Sequence, residues 1–320
     1  MGVFVYLALL WFMGCQGCSS CTPSVPPPLK TDTGHSGRTD TSPTDSVFDS
    51  EDTGPEPPCA QPEEEPNGIV SEANEIELER WACGTFTEGL DLDYYRFEVE
   101  TTDWIKVVVN AASMGSAADP MLYLESDEED SFDINNSEDS TDPWVLFPLW
   151  EADGWTAMLM DSFGGSGEDY FYEMLVSIAK PPVIWNAEES EEEGGPDEGP
   201  RNDMLSQAMD LEEGMVVFGR TGHSKDLDWY RIVTPAGKAQ TTVRVQAFQH
   251  GSPLNSKLLL YDIDGNEIDK VTSGETSYDR DPVMIRTTES SEEWYVVVRS
   301  EGSEGLAHWY VIDVSFEEAE

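Results

Sequence analysis

The chain repeats itself. Asp91-Leu92-Asp93-Tyr94-Tyr95-Arg96-Phe97 recurs as Asp226-Leu227-Asp228-Trp229-Tyr230-Arg231-Ile232, 135 residues later (226 − 91). Gly84 and Gly219 each stand seven residues before these copies. Asp119-Pro120-Met121-Leu122-Tyr123-Leu124 answers to Asn255-Ser256-Lys257-Leu258-Leu259-Leu260, and Trp155 and Trp294 each open a strand-like run. Tyr172-Glu173-Met174-Leu175-Val176 matches Tyr310-Val311-Ile312-Asp313-Val314. The order never changes, so one module of roughly 110–120 residues is present twice in tandem.

Each copy reads as β-structure. Runs such as YRFEV (95–99), WIKVVV (104–109), TVRVQAF (242–248), WYVVV (294–298) and WYVIDVSF (309–316) place Val, Ile, Tyr and Trp in alternation with polar residues. Asp264-Gly265-Asn266 supplies a hairpin turn. Residues 71–80 and 203–213 are the helix-like stretches and lead into the modules. Strands at this spacing, without long amphipathic helices, predict an all-β chain of two tandem antiparallel β-sandwiches.

Composition sets the boundaries. Residues 22–66 hold ten of the 20 prolines and ten acids, without apolar periodicity, and predict a disordered acidic Pro/Thr-rich tether. Residues 187–203 carry eight acids among Gly and Pro and read as a spacer. The predicted plan is a signal peptide over 1–14, a tether over 15–62, a sandwich over 63–180, a linker over 181–196 and a second sandwich over 197–320. The formal net charge of −48 repels a phosphate polymer, so nucleic acid is excluded as a partner.

Residues 3–13, VFVYLALLWFM, form an apolar run of eleven, too short for a bilayer core that takes about 20 residues of helix. Followed by Gly14-Cys15, the run reads as a secretory signal, and Phe12-Met13-Gly14-Cys15 resembles a bacterial lipobox. The resemblance implies lipidation at Cys15, a membrane partner through the lipid, and an outer-membrane or cell-surface location; a plain secretory signal implies a secreted protein. Export permits disulfides. With Cys15 set aside, Cys18, Cys21, Cys59 and Cys83 allow three pairings. Cys59–Cys83 is favoured because the two bracket the entry to the first module, leaving Cys18 and Cys21 as a local bridge or as free thiols.

The order of a Glu-Pro-Asn lead, a Gly, a D-x-D-[YW]-Y-R-[FI] segment, a D-P-x-L-x-L strand and closing aromatic strands is similar to the bacterial pre-peptidase C-terminal (PPC) domain. The likeness covers about 64–179 and 197–317. It implies a jelly-roll-like sandwich of the kind appended to secreted peptidases and related to collagen-binding modules. In those relatives calcium is held by acids and Asn of the lead with acids before the Tyr-Tyr strand. Carried over, the ligands are Glu63, Glu65, Asn67, Asp91 and Asp93 in the first module, and Glu198, Asn202, Asp203, Asp226 and Asp228 in the second. Gly68 departs from the family's acid at that place, and Pro200-Arg201 interrupts the second lead. A solvated acidic surface is the competing account of the same residues.

No nucleophile constellation, HExxH, G-x-S-x-G or Walker loop occurs, and the two Asp-Thr-Gly triplets at 32–34 and 52–54 lie in the tether. No organic cofactor is implied. The expected protein is an exported, lipid-anchored, non-catalytic monomer whose modules bind or space, with polysaccharide or protein as ligand. The alternative is an accessory or processing module of an extracellular peptidase. Intact-mass analysis of natively exported protein should find acyl mass on Cys15; an unmodified N-terminus elsewhere refutes the anchor but not the export.

Overall fold

A computed structural model describes residues 59–100, 104–126, 131–134, 140–149, 153–188, 202–222, 226–272, 281–301 and 307–319. The signal, Cys15, Cys18, Cys21, almost all of the tether, residues 189–196 of the linker, and Glu198 lie outside these residues.

Two β-sandwiches follow one another. The first pairs a sheet ordered β1 (Gln61–Pro62), β3 (Ala82–Thr85), β10 (Phe171–Ala179), β5 (Trp104–Asn110), β8 (Trp144–Pro148) with a second sheet. That sheet runs β2 (Asn74–Glu75), β4 (Asp93–Val99), β9 (Asp153–Asp161), β6 (Pro120–Ser126), β7 (Ser131–Ile134). The second sandwich repeats the plan strand for strand. One sheet is β11 (Ala187–Glu188), β13 (Val216–Arg220), β20 (Trp309–Glu318), β15 (Ala239–Gln246), β18 (Val283–Thr288). The other is β12 (Met209–Asp210), β14 (Asp228–Val233), β19 (Glu293–Ser300), β16 (Ser256–Tyr261), β17 (Glu267–Thr272). Pairing is antiparallel except at four short edges, β1–β3, β2–β4, β11–β13 and β12–β14, which are parallel.

Alternation explains the sheets. In β4 the residues Asp93, Tyr95, Phe97 and Val99 are buried, while Tyr94, Arg96 and Glu98 face outward; β14 buries Asp228, Tyr230 and Ile232 in the same phase. The helix-like stretches are corrected: 71–80 holds the end of a 3₁₀ turn (Val70–Glu72) and strand β2, and 203–213 holds a 3₁₀ turn (Leu205–Gln207) and β12. Three residues of turn present too little apolar face to sustain a helix. Ala187 and Glu188, counted with the linker in the sequence, form the leading edge strand of the second sandwich.

A second pair of 3₁₀ turns, Ala112–Met114 and Phe248–His250, follows β5 and β15. Each is held by one carboxylate that collects three main-chain N–H groups. Asp142 accepts from Ala111, Ala112 and Ser113 at 2.7–3.0 Å, and Asp281 accepts from Ala247, Phe248 and Gln249 at 2.9–3.0 Å. Gly115 (φ +83°) and Gly251 (φ +88°) close the turns in the left-handed region, where a Cβ is strained.

The two sandwiches belong to one compact unit; each has its own apolar cluster, and that of the first extends across the contact between them. Phe218, Ala307, Trp309 and Val311 of the second pack into the apolar cluster of the first. Trp104 meets Trp309 edge-on at 4.9 Å, and Trp185 stacks on Phe218 at 4.6 Å. The edge strand β8 is gripped there: Leu146 N–H donates to Gly251 O at 2.8 Å, and Trp309 Nε1–H donates to Leu146 O at 2.6 Å. Most strand tryptophans are thereby spent on packing: Trp104, Trp155, Trp294 and Trp309 are buried.

The buried aromatic contact should couple the two cores so that both sandwiches unfold together, and calorimetry of the wild type should give a single transition. Trp309→Ala, which removes a fully buried Trp worth roughly 3–5 kcal/mol, should lower the midpoint and split the transition in two. Two separate transitions already present in the wild type refute the coupling.

Candidate metal centre

The first sandwich opens with the lead Glu63–Asn67, which runs from β1 to the start of β4. Main-chain bonds fix its course: Glu63 N–H donates to Cys83 O at 2.9 Å and Tyr94 N–H to Asn67 O at 3.1 Å. The Asn74 side chain brackets Glu64, accepting its N–H at 2.8 Å and donating to its carbonyl at 2.9 Å. Cys59 and Cys83 form a disulfide that ties the start of this lead to β3.

Asp93 is the first inward residue of β4 and is fully buried. Tyr172, from β10 of the facing sheet, crosses the core and donates its hydroxyl to Asp93 Oδ2 at 2.6 Å; Tyr95 OH lies 2.8 Å from the same hydroxyl. Gly84, paired with Tyr172, leaves the space for it: a Cβ at Gly84 would run into the Tyr172 hydroxyl and Glu63 Oε2. Glu63, Glu65 and Asp93 each bring a carboxylate oxygen within 4.8 Å of the others. Glu63 is steadied by Thr85 N–H at 2.8 Å, and Glu65 by Asn67 N–H at 3.0 Å. The Asn67 amide ends 3.0 Å from Glu65 Oε2 and 3.3 Å from Asp93 Oδ1. With its nitrogen turned inward it donates to both carboxylates; with its oxygen inward it adds a fourth oxygen to the group.

Thus four of the five residues predicted for the first module converge. Asp91 is the exception, because its carboxylate is turned to Thr87, accepting N–H at 2.6 Å and the hydroxyl at 3.0 Å. In the second module the core repeats. Tyr310 OH donates to Asp228 Oδ2 at 2.7 Å and lies 2.8 Å from Tyr230 OH, and Trp229 N–H donates to Asn202 O at 2.9 Å. The described part of the rim is arranged differently. Asp226 accepts Gly222 N–H at 2.6 Å, Asp203 accepts Leu227 N–H at 3.3 Å, and Pro200 stands in the sequence where the first lead has Glu65. Among the described residues, the first module alone gathers three potential metal-ligating acids.

Burial pushes Asp93 up to about 8, the nearby charges of Glu63, Asp91 and Glu65 adding to the effect while the Tyr172 hydrogen bond opposes it. Glu63 is raised for the same first reason, with Thr85 N–H opposing. The tyrosine partners and the Asp142 and Asp281 cradles were missed in the sequence. A signal existed: Asp142-Pro143 and Asp281-Pro282 are repeated, at a spacing of 139 (281 − 142) where the strands before them keep 136 (255 − 119).

The chain matches no protein-family model and no curated protein. Among solved structures it is similar to the M60 catalytic domain with the CBM51-1 and CBM51-2 domains of Clostridium perfringens ZmpB. The identity is 12% and the TM-score 0.20, over 73% of this chain and 36% of that one, so this chain spans about a third of that structure. It is also similar to the CBM22-1–CBM22-2 tandem of Paenibacillus barcinonensis Xyn10C (9%, TM-score 0.20, 70% and 82% covered). The tandem CBM51 modules of the Streptococcus pneumoniae family 98 glycoside hydrolase Sp3GH98 give 9% and 0.22, with 76% and 85% covered. At these scores the fold rests on the strand pairing described above. No helix among the described residues is long and apolar enough to cross a membrane.

A carboxyl group whose folded pKa lies above its unfolded value stabilises the fold at low pH and loses that contribution as pH rises through the folded pKa. In EDTA, stability to urea should therefore fall from about pH 4, where the unfolded carboxyl ionises, to about pH 8, where the folded one does. Asp93→Asn, uncharged throughout, should flatten this slope; an unchanged slope in that variant assigns the effect to other acids.

Proposed function

We propose that the chain is an exported, lipid-anchored, non-catalytic surface protein of the PPC type, whose sandwiches bind or space. In this reading the first sandwich is set by a calcium ion held by Glu63, Glu65 and Asp93 with Asn67. The observation that carries it is the convergence of Glu63 and Glu65 on the buried Asp93 of an Asp–Tyr–Tyr trio, three carboxylates from two separate segments. The donors are all oxygens, without sulfur or imidazole, a set that suits a hard cation such as Ca²⁺. Bound there, the ion would neutralise the group and cross-link the lead to β4. The family assignment is supported by the order of the repeated motifs, and the export by the apolar run ending at Cys15. Polysaccharide or protein is the class of ligand.

The test is thermal. Ligation stabilises by about 2.7 kcal/mol at a hundredfold excess over Kd, so millimolar Ca²⁺ in the presence of 150 mM-range NaCl (about 0.15 M) should raise the midpoint of the full chain. Glu65→Gln, on the exposed rim, should abolish the rise while leaving the metal-free midpoint close to that of the wild type. Retention on insoluble polysaccharide or collagen should then depend on Ca²⁺. An equal rise from NaCl at matched ionic strength, or its persistence in Glu65→Gln, reduces the acids to a solvated surface.

A further inference from the structure

The contact between the two sandwiches is head to tail: an edge of the first meets a face of the second, and the two surfaces differ. Because the modules are duplicates, each surface has a counterpart that the internal contact leaves unused. The equivalences follow from the register. Leu146 pairs with Lys106 and Ile285 with Thr242, while Lys106 and Thr242 pair with Ser177 and Ser315 on the corresponding strands β10 and β20. Ile285 on β18 therefore occupies the place of Leu146, the residue whose N–H and C=O the second sandwich grips. Val283 occupies the place of Trp144, whose ring covers Gly251. Val283 is 44% and Ile285 60% exposed, and no strand among the described residues pairs with the outer edge of β18.

The receiving surface has a counterpart too. Tyr172 pairs with Gly84 as Tyr310 pairs with Gly219, so Phe171 stands for Trp309 and Cys83 for Phe218. The parallel pairs Gln61–Ala82 and Ala187–Val217 then set Cys59 against Trp185, so that the Cys59–Cys83 disulfide replaces the Trp185–Phe218 stack. Gly115 closes its turn as Gly251 does. In the first sandwich this surface is an open cleft of about 700 Å³ whose apolar wall is the disulfide, Met114 and Phe171, with Glu63 and Glu173 at its polar side.

We infer that the chain associates head to tail with further copies of itself, the β18 edge of one copy seating on the Met114–Phe171 cleft of the next. The occupant is fixed by continuity with the internal interface, which supplies a physical template for both halves of the contact. A repeated heterologous contact whose two halves lie on different modules leaves a free edge and a free cleft after each addition, so it builds chains of copies until the rotation closes them. The external contact is weaker than the internal one. Gln240 replaces Trp104 by the same register (Gln240 pairs with Thr287 as Trp104 pairs with Pro148), and Phe171 lacks the indole N–H of Trp309. Charge opposes it further, since every copy carries a formal −48. Screening removes that repulsion, so association strengthens with salt.

Sedimentation equilibrium of the full chain, up to a protein concentration of about 0.5 mM to reach weak contacts, decides the matter. Mean mass should climb with concentration beyond the dimer, and more steeply in roughly 0.5 M than in roughly 0.05 M NaCl. Ile285→Glu and Met114→Glu should each weaken self-association at least about tenfold, while a mixture of the two should form a heterodimer and stop there, since only one productive edge–cleft pair remains. A monomer throughout, a dimer indifferent to both substitutions, or association in either variant alone equal to wild type overturns the inference.

Discussion

Each sandwich is organised around one buried carboxylate shared between its two sheets. An aspartate at the first inward position of β4 or β14 takes a hydrogen bond from a tyrosine of the opposite sheet, at 2.6 Å in the first module and 2.7 Å in the second. A second tyrosine from the aspartate's own strand completes the trio. Hydrophobic contact between sheets has no direction, whereas this trio has one geometry, so it fixes how the sheets sit and which residue of each strand faces inward. Gly84 and Gly219 are consequences: the strand opposite the tyrosine must give up its side chain. The lead of the first module is then positioned by what the trio leaves accessible, the outer oxygens of Asp93.

Duplication produced two such trios, and divergence put the copies to different uses. The first copy gathers Glu63 and Glu65 around its aspartate and carries a disulfide beside it. In the second copy, aromatic rings replace the disulfide and receive the first module's edge strand. Trp185 and Phe218 fill the positions of Cys59 and Cys83, and Trp309 fills that of Phe171. One surface of the fold, the face of β3 and β10 or of β13 and β20, thus serves as a covalent clamp in one module and an aromatic socket in the other.

The repeat made the fold legible. Asp93, Tyr95 and Gly84 could be singled out because Asp228, Tyr230 and Gly219 recur at one spacing, and alternation then named the inward face. What depended on distant partners was less legible. Asp142 matters because it gathers the N–H groups of a turn about 30 residues before it, and a carboxylate–amide cradle leaves no periodic trace. The helix-like reading of 71–80 failed for a related reason: acidic and apolar residues there alternate well enough for one turn, and edge pairing with β4 then captures Asn74 and Glu75. Asp91 illustrates a third limit. Its place in the motif suggested a ligand, yet it lies before β4 in the preceding loop, where Thr87 takes its carboxylate.

Buried carboxylates in this chain also show what the Asp93 group lacks. Asp142 and Asp281 each collect three main-chain N–H donors, and Asp161 collects those of Asp119, Phe163 and Gly165. Oriented amides of this kind oppose the cost of burying a charge, although burial still holds the Asp281 carboxyl above the usual carboxylate range. Asp93 has a tyrosine hydroxyl and a side-chain amide, with Glu63 and Glu65 pressing on it, and no main-chain N–H. Its charge must be met otherwise. Burial first, and the neighbouring acids after it, push its pKa up to about 8, so that at neutral pH a proton meets it. A divalent cation would do the same for all three carboxylates at once, displacing that proton, so proton and cation compete for one group. The acidity of the whole surface only adds to a demand that is already local: it arises where an aspartate was placed to join two sheets and given no amides to hold it.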